Sequence, residues 1–416
     1  MKKFIVTEIL VIVVLAAGFL IGYGIGKSTN SDADYNRYYE KADEAWQKAR
    51  MADNPPVTLE DDDQNRIHKV RALYRRVFEK FPDSLWADDA IYQLATRIAR
   101  TDEEQFALFR RLINNYPDSE WIDDALLTIA IANYRIGEEV KETEVLESAD
   151  TYYDRAMVLF DQLIEDYPGS KLVEEARFRR AMCYYGKGLL NRTLDAFDEL
   201  ADDFRDSDLI HSVMYYTGVV YTEQRKYRDA RVEFEKVVNS GHEELTPLAQ
   251  FGIGQTYFAE GRFAEAIESY NRVIQTDSDA KVAQDSYFYI GWAYQKMEQY
   301  DEAIDQLEEA INKYPANENA ANSQFFVAQI YYTKGDADGA IEAYRRVAGN
   351  ASFDYDTRRQ AQYWIGNIYE KRNEIDLAID AYQHLIKEFA EPHQNPTHPS
   401  NNINDNYIQN LQANEF

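Results

Sequence analysis

The feature that most constrains this fold is a short segment that recurs along the chain. Residues 249–273 read AQFGIGQTYFAEGRFAEAIESYNRV. Their small and aromatic side chains stand three to five residues apart, which predicts two short helices that pack face to face, with Gly261 ending the first helix. A hairpin of this size cannot bury its apolar face alone, so it needs a neighbour on each side.

Equivalent hairpins flank this segment in the sequence. We count each hairpin from its reference residue, the small residue of the first helix that Gly254 represents here. The same offsets to a Tyr and to a large apolar residue recur every 36 to 38 residues, from the reference residues Ala181, Gly218, Gly291, Ala328 and Gly366. A register kept over six units predicts a repeat array in which each hairpin contacts only its neighbours.

This pattern resembles the tetratricopeptide repeat. That family has a small residue and a Tyr in the first helix, a Gly-containing turn, and an Ala and an aromatic residue in the second helix. Prolines occupy the place at which the family often closes a repeat: Pro82, Pro117, Pro168 and Pro315. The resemblance implies an all-α fold, a right-handed α-solenoid of about nine helical hairpins over residues 35–390, preceded by one transmembrane helix that the N-terminal sequence predicts separately.

The repeats depart from the family pattern in length and in their linkers. They are longer than the usual ~34 residues, and the aromatic residue at the fourth position of the first helix is mostly missing. The linkers that begin at Phe81, Tyr116 and Tyr167 read FPDSLWADDA, YPDSEWIDDA and YPGSKLVEEA. Their style resembles repeats of bacterial envelope proteins, notably the outer-membrane assembly lipoprotein and the Tol–Pal coordinator. Their Ser suits a helix N-cap, and the acidic pair suits the helix dipole.

The composition narrows the class of partner. The chain has a formal net charge of −28, which argues against nucleic acid and against docking on an anionic lipid surface, since both need clustered Lys and Arg. A protein or peptide partner that is basic or uncharged fits better. The lone Cys183 lies among apolar residues of a first helix, so we interpret it as a buried thiol outside any disulfide framework.

Residues 1–26 have the composition of a retained signal anchor. The apolar run from Phe4 to Ile25 would be ~33 Å long as a helix, enough to cross a ~30 Å hydrocarbon core. The lysines before it predict a cytoplasmic N-terminus and repeats beyond the membrane, in the periplasm of a Gram-negative cell. Cleavage near Ala17 is the alternative. Processing as a type IV pilin is disfavoured because Lys3 stands where the pilin peptidase needs a small residue.

Other segments flank or interrupt the repeats. Gly18, Gly22 and Gly26 repeat every four residues and predict a helix–helix face within the membrane, unless they only reflect the abundance of glycine in membrane helices. Residues 27–34 are a polar linker, and an acidic insertion spans residues 137–150 of the third hairpin. The Asn-, Gln- and Pro-rich residues 391–416 predict a disordered or loosely packed tail.

The sequence carries no pattern that points to catalysis. The six His residues are scattered over unrelated repeats and the tail, and neither a Gly-rich phosphate loop nor a His-Glu-x-x-His motif occurs. We therefore predict a protein that is not an enzyme, with no cofactor and no metal site.

Binding is the remaining class of function. In the resembled architecture the first helices line a concave groove, and two positions of each first helix face it. Read three residues before and four residues after the reference residues, they give a ladder of aromatic side chains: Phe178, Tyr185, Tyr215, Phe251, Phe258, Phe288, Phe325, Tyr332 and Tyr363. Such a ladder, edged by carboxylates, suits an extended or helical peptide, including basic or Tyr- and Pro-rich segments. The alternative is that these rings only pack between neighbouring helices.

These inferences combine into one functional hypothesis. The chain is predicted to be a single-pass scaffold of the inner membrane that binds protein partners in its groove, in bacterial envelope assembly or maintenance. One alternative is a structural component that self-associates into a coat, a secretion platform or a pilus platform. Another is an organelle import receptor that faces a eukaryotic cytosol.

Overall fold

The described part of the protein is entirely helical. The computed structural model describes residues 30–54, 56, 64–141, 148–276, 281–315, 318–391 and 397–413. Across these ranges the chain forms α-helices, one short 3-10 helix and turns, without a β-strand. The all-α prediction is confirmed. The chain divides into two compact units after Gly188, which are described separately below.

The first unit contains three helical hairpins and one further helix. Its helices are α1 (Asn30–Ala52), α2 (Gln64–Lys80), α3 (Ala87–Arg97), α4 (Asp102–Asn115), α5 (Ile122–Val140), α6 (Ala149–Asp166) and α7 (Val173–Gly186). Each helix packs against the next one along the chain. A single apolar core runs from Ala42 in α1 to Ile129 in α5.

The second unit continues the same plan with greater regularity. Its helices are α8 (Leu190–Asp203), α9 (Ile210–Glu223), α10 (Tyr227–Ser240), α11 (Leu245–Ala259), α12 (Phe263–Thr276), α13 (Lys281–Lys296), α14 (Tyr300–Lys313), α15 (Glu318–Lys334), α16 (Ala337–Gly349), α17 (Tyr355–Lys371), α18 (Ile375–Glu388) and α19 (Asp405–Ala413), with a 3-10 helix at Pro399–Asn402. The helices α9 to α18 form five hairpins at the predicted registers.

The predicted contact between a small and a large residue holds each of these hairpins together. A Cβ atom added to Gly254 would lie 2.5 Å from the ring of Tyr270, and one added to Gly218 would lie 2.7 Å from the ring of Phe234. Both rings are fully buried. The reference residue is therefore small because the large residue of the second helix occupies the space beside it.

The turn between paired helices has one residue in the left-handed region, always seven positions after the reference residue. Gly261 takes this position as predicted, with φ 76°, and no atom lies near its missing Cβ, so conformation and not space favours glycine there. In other hairpins the same position holds a residue with a side chain: Arg225, Glu298 and Asn373, with φ of 58°, 60° and 58°.

Two details of the first unit differ from the sequence prediction. Gly137 lies inside α5 and not in an insertion, because its missing Cβ leaves room for the Tyr153 ring, 2.7 Å from where that atom would be. The linker serines are not N-caps. The Ser170 hydroxyl accepts a hydrogen bond from the Leu172 backbone N–H at 3.0 Å, in the turn before α7 begins.

The C-terminal segment is more ordered than its composition predicts. Within residues 397–413, Ile403 and Ile408 are buried against the last hairpin. The Tyr407 ring lies 5.7 Å from the Tyr382 ring, much as Trp364 of α17 lies 6.2 Å from Tyr344 of the preceding hairpin. The helix α19 thus takes the place of a next first helix and shields the end of the apolar core.

The predicted membrane segment, including Gly18, Gly22 and Gly26, lies outside the described residues. Within the described ranges, no helix combines the length and the apolar character needed to cross a bilayer.

Candidate functional site: the helix-A face of residues 189–416

The first helices of the hairpins lie side by side in the second unit. Each of α9, α11, α13 and α15 contacts the next first helix as well as its own partner helix. We call the surface that α9, α11, α13, α15 and α17 present together the helix-A face. The predicted aromatic ladder of this unit lies on it.

One side of most ladder rings packs within the hairpin. The residue three before the reference residue contacts the large residue of the second helix, as in the pair Phe251–Tyr270, with ring centroids 5.3 Å apart, and the pair Phe325–Tyr344, at 5.2 Å. Tyr215 and Tyr363 contact Phe234 and Tyr382 in the same way, at 5.8 and 6.3 Å. All four rings are half-buried, so each keeps some exposed surface.

The rings are densest in the middle of the helix-A face. Trp292 of α13 lies 4.8 Å from Phe258 of α11 and 6.3 Å from Phe288, between ring centroids. Phe288 in turn lies 5.7 Å from Phe326 of α15, and Tyr289 lies 5.9 Å from Trp292. We call these five residues the Trp292 cluster. All five are half-buried, and they join three successive hairpins into one aromatic surface.

Three members of this cluster were not among the predicted site residues. Trp292 follows the reference residue Gly291 directly, whereas Tyr289 and Phe326 stand two residues before their reference residues. The spacing of Phe288 and Trp292, four residues apart on one helix face, was the available signal for Trp292. No single repeat shows it, because the position after the reference residue is not aromatic in the hairpins on either side.

The charges on this face are not those that the sequence predicted. Lys296 lies 5.9 Å from the Trp292 ring centroid. The Lys371 ammonium donates a hydrogen bond to the Tyr332 hydroxyl at 2.8 Å and lies 5.3 Å from the same ring. Cations therefore border the rings, and a basic ligand segment does not fit these two places.

The carboxylate of Glu370 is already engaged. It accepts hydrogen bonds from the Tyr382 hydroxyl at 2.8 Å and from the Tyr407 hydroxyl at 3.0 Å. Burial, and then the bond to Glu370, raise the pKa of Tyr407 to about 12, so its hydroxyl remains a donor at neutral pH. The His398 ring lies 5.8 Å from the Tyr363 ring. The C-terminal segment therefore covers part of the helix-A face at the last hairpin.

The remaining predicted residues lie in the first unit. Phe178 is 5% exposed and offers almost no surface to a ligand, which fits the packing alternative. Tyr185 is half-buried. Cys183 is fully buried, and burial raises the pKa of its thiol to about 12. Within the described ranges, no group of three His, Cys, Asp or Glu side chains is placed to hold a metal ion.

Comparison with known proteins identifies the repeat. Models of the tetratricopeptide repeat match residues 245–316, 290–355 and 360–391. These matches begin with α11 and extend just beyond α18, and they contain the Trp292 cluster. No curated protein matches the chain.

Solved structures resemble the chain in fold, at low identity. The apo form of RapI is 13% identical, with 84% of this chain and 98% of that chain covered and a TM-score of 0.51. The C-terminal part of a TPR repeat-containing protein from Cytophaga hutchinsonii is 16% identical, covering 64% and 97%, with a TM-score of 0.45. A tetratricopeptide repeat protein from Parabacteroides merdae is 12% identical, covering 69% and 98%, with a TM-score of 0.41.

Repeats of this kind form protein-interaction scaffolds, generally without catalytic activity. Three family models match within residues 245–391, and the helices α9 to α18 pack as paired hairpins at the register counted from Gly254. Residues 245–355 and 360–391 of the chain are therefore tetratricopeptide repeats.

Proposed function

We propose that this protein is a scaffold that binds a peptide segment of a partner protein on the helix-A face of residues 189–416. The observation that carries the proposal is the Trp292 cluster. Five half-buried rings from three helices meet there, and each keeps exposed surface that its own packing does not use. Aromatic rings give large contact area at small cost in side-chain entropy, and they are common where binding energy is concentrated.

The charges around the cluster define the preferred ligand. Because Lys296 borders Trp292, and Lys371 borders Tyr332, a segment with aromatic or aliphatic side chains fits better than a basic one. Proline and tyrosine suit such rings, since both offer flat, uncharged surfaces. The Tyr- and Pro-rich part of the sequence prediction is kept in this proposal, and the basic part is not.

The proposed place of action is the bacterial envelope. The apolar run of residues 4–25 and the lysines before it support an N-terminal anchor in the inner membrane, with the repeats in the periplasm. The linker style supports a role in envelope assembly or maintenance. Protease added to intact cells and to cells with a permeabilised outer membrane tests the placement, since the repeats should be digested only after permeabilisation. Digestion of the repeats by a protease confined to the cytosol would contradict it.

Photo-crosslinking in living cells tests the binding site. A photoreactive residue at Phe288 is expected to capture one reproducible foreign protein, because Phe288 lies within the Trp292 cluster. The same residue at exposed Glu302, on the second helix α14, is the matched control and should not capture it. Adding Trp292→Ala should abolish capture from Phe288. Crosslinks confined to copies of this chain would favour the self-associating alternative, and an unchanged capture with Trp292→Ala would refute the role of the cluster.

A further inference from the structure

The second helix of the first hairpin has a charge opposite to that of the whole chain. The sequence of α2, QNRIHKVRALYRRVFEK, carries six Lys or Arg residues and one Glu. The whole chain has 45 Lys or Arg against 73 Asp or Glu. A concentration of cations on one short helix of an acidic protein calls for either internal ion pairs or an external anion.

These cations line a cleft between α2 and the turn that joins α3 to α4. The cleft has a volume of about 510 Å³, and cationic or titratable side chains form most of its wall: His68, Arg71, Arg75, Arg76, Lys80 and Arg100. Glu79 is the acidic residue of the wall. The volume of the cleft falls within the ~300–1,000 Å³ that is typical of ligand pockets. We call it the α2 cleft.

Internal ion pairs satisfy only part of this charge. Glu104 of α4 binds both Arg71 and Arg75, with its Oε1 3.1 Å from the Arg75 Nη2. Burial alone would raise the pKa of the Glu104 carboxyl. The net shift is downward, because Glu104 accepts hydrogen bonds from Arg71 and from the Arg100 backbone N–H and lies near the charge of Arg75. Two guanidinium groups of the cleft wall therefore already bind one ionised carboxylate, although Glu104 itself does not line the cleft.

Other cations of the cleft remain without an internal partner. Arg76 and Lys80 are exposed, and within the described residues neither makes an ion pair or a hydrogen bond. Nearby, the Arg100 Nη2 atom lies 2.8 and 3.0 Å from the two ring nitrogens of His68, and within the described residues the Arg100 guanidinium forms no ion pair with a carboxylate. An added anion would meet unbalanced positive charge here.

We propose that the α2 cleft is a second binding site, which takes a short acidic peptide segment of a partner protein. The Glu104 contacts show that its guanidinium groups bind carboxylates, and further Asp or Glu side chains would meet Arg76 and Lys80. A long polyanion such as nucleic acid is disfavoured, because the net charge of −28 would repel the parts that extend beyond the cleft. The site uses different residues from the helix-A face and does not depend on the proposed function.

Peptide binding to the full-length protein in a neutral detergent tests the site. A fluorescent peptide of alternating Asp and Glu should bind in low salt, bind more weakly at about 0.15 M salt, and outcompete a peptide of Asn and Gln. The double change Arg76→Glu with Lys80→Glu should weaken binding about tenfold, since each exposed pair contributes up to roughly 1 kcal/mol.

A matched variant separates the cleft from the net charge. Arg192→Glu with Arg228→Glu alters the charge of the chain equally, at two exposed residues of the second unit that form no ion pair or hydrogen bond within the described part of the chain. This control should change binding less than about twofold. Circular dichroism of both variants checks that they fold, and Arg76→Gln with Lys80→Gln provides a milder version. Equal losses in both double variants, no binding of the acidic peptide, or tighter binding of a short DNA strand would each overturn the proposal.

Discussion

The two units join their hairpins by different means. In the first unit the aromatic contacts between successive hairpins come from the linkers: Trp86 stacks on Trp46 at 5.5 Å, and Trp121 stacks on Tyr92 at 4.1 Å. In the second unit they come from within the first helices. There Tyr289 of α13 lies 5.6 Å from Tyr270 of the preceding hairpin.

The difference explains why the aromatic surface lies in the second unit. Where a linker tryptophan joins two hairpins, the first helix does not need to supply a ring for that purpose. Where the linker is short, the first helix supplies the ring itself and brings others with it onto the helix-A face. The longer linkers of the first unit therefore serve packing, and the regular repeats of the second unit combine packing with an exposed aromatic surface.

The linkers of the first unit also carry polar contacts between hairpins. The Trp121 indole N–H donates a hydrogen bond to Asp89 at 2.9 Å, and the Ser170 hydroxyl donates one to Asp123 at 2.6 Å. Burial raises the pKa of Asp89 to about 6, and the hydrogen bond from Trp121 opposes that rise. Each linker thus stabilises an acidic side chain at the start of the preceding first helix.

The largest effect is expected from Trp121→Ala. The change removes the stacking on Tyr92 and leaves the Asp89 carboxylate without its indole donor, so we expect the first unit to lose about 3 kcal/mol of unfolding free energy. Hydrogen exchange followed by mass spectrometry measures this loss region by region. Faster exchange should appear in the first unit and not in residues 189–416.

Trp292→Ala is the counterpart in the second unit. If the Trp292 cluster serves mainly for binding, this change should cost less than about 1 kcal/mol, while it abolishes crosslinking from Phe288. Equal losses of stability from the two Trp changes would show that both tryptophans hold successive hairpins together. The proposed difference between the two units would then be wrong.

Tyr-to-Phe changes at one position of two repeats are expected to have a smaller effect than Trp121→Ala. Tyr382 donates a hydrogen bond to Glu370, whereas the Tyr270 hydroxyl is buried and has no hydrogen-bond partner among the residues that the structure describes. We expect Tyr382→Phe to destabilise the last hairpin by about 1–2 kcal/mol, and Tyr270→Phe to be neutral or to stabilise by up to about 1 kcal/mol. Urea unfolding of the two variants measures both; a loss in Tyr270→Phe as large as that in Tyr382→Phe would contradict the assignment.

The sequence predicts the hairpins well, because the repeated pattern pairs a small side chain on one helix with a large side chain on the next. The step from a small residue at Gly254 to a large one at Tyr270 is visible in the sequence, and the structure shows the two in contact. The C-terminal helix was missed because its composition is polar. Its packing depends on four residues, Ile403, Tyr407, Ile408 and Leu411, in a segment too short to show the repeat pattern.

The binding surface is only partly predictable for a different reason. Sequence offsets identify which residues point toward the helix-A face, but a single ring both packs and remains exposed, as Phe251 does. The α2 cleft depends on how α2 meets the turn at Arg100, and a sequence with a large negative net charge gives little reason to expect a cationic site.

Asp89 predicts a pH dependence confined to the first unit. Because its pKa in the folded state, about 6, exceeds the ordinary 3.8, the folded state binds a proton more tightly than the unfolded chain. Its contribution to stability therefore falls as pH rises from about 4 to about 6, and stays constant above that range.

Asp89→Asn should remove this dependence. The amide oxygen still accepts the hydrogen bond from Trp121, so the variant should gain roughly 1 kcal/mol over the wild type between pH 4 and pH 7, after allowance for solvent screening. Denaturant midpoints across that range provide the measurement, and Asp118→Asn at an exposed position controls for the change in net charge. A constant difference across the range would show that Asp89 titrates normally.

A further small effect tests the turn that the hairpins α9 to α18 share. Glu298 adopts φ 60°, in the region that costs a residue with a side chain roughly 1 kcal/mol and glycine nothing. Glu298→Gly should therefore stabilise the second unit by up to about 1 kcal/mol. The greater conformational entropy of glycine in the unfolded chain reduces this gain. Gly261→Ala is the reverse change at the equivalent position, where open space leaves conformation as the main cost, and it should destabilise by about 1 kcal/mol. If the two changes shift the urea midpoint in the same direction, something other than the left-handed backbone governs residue choice at this turn.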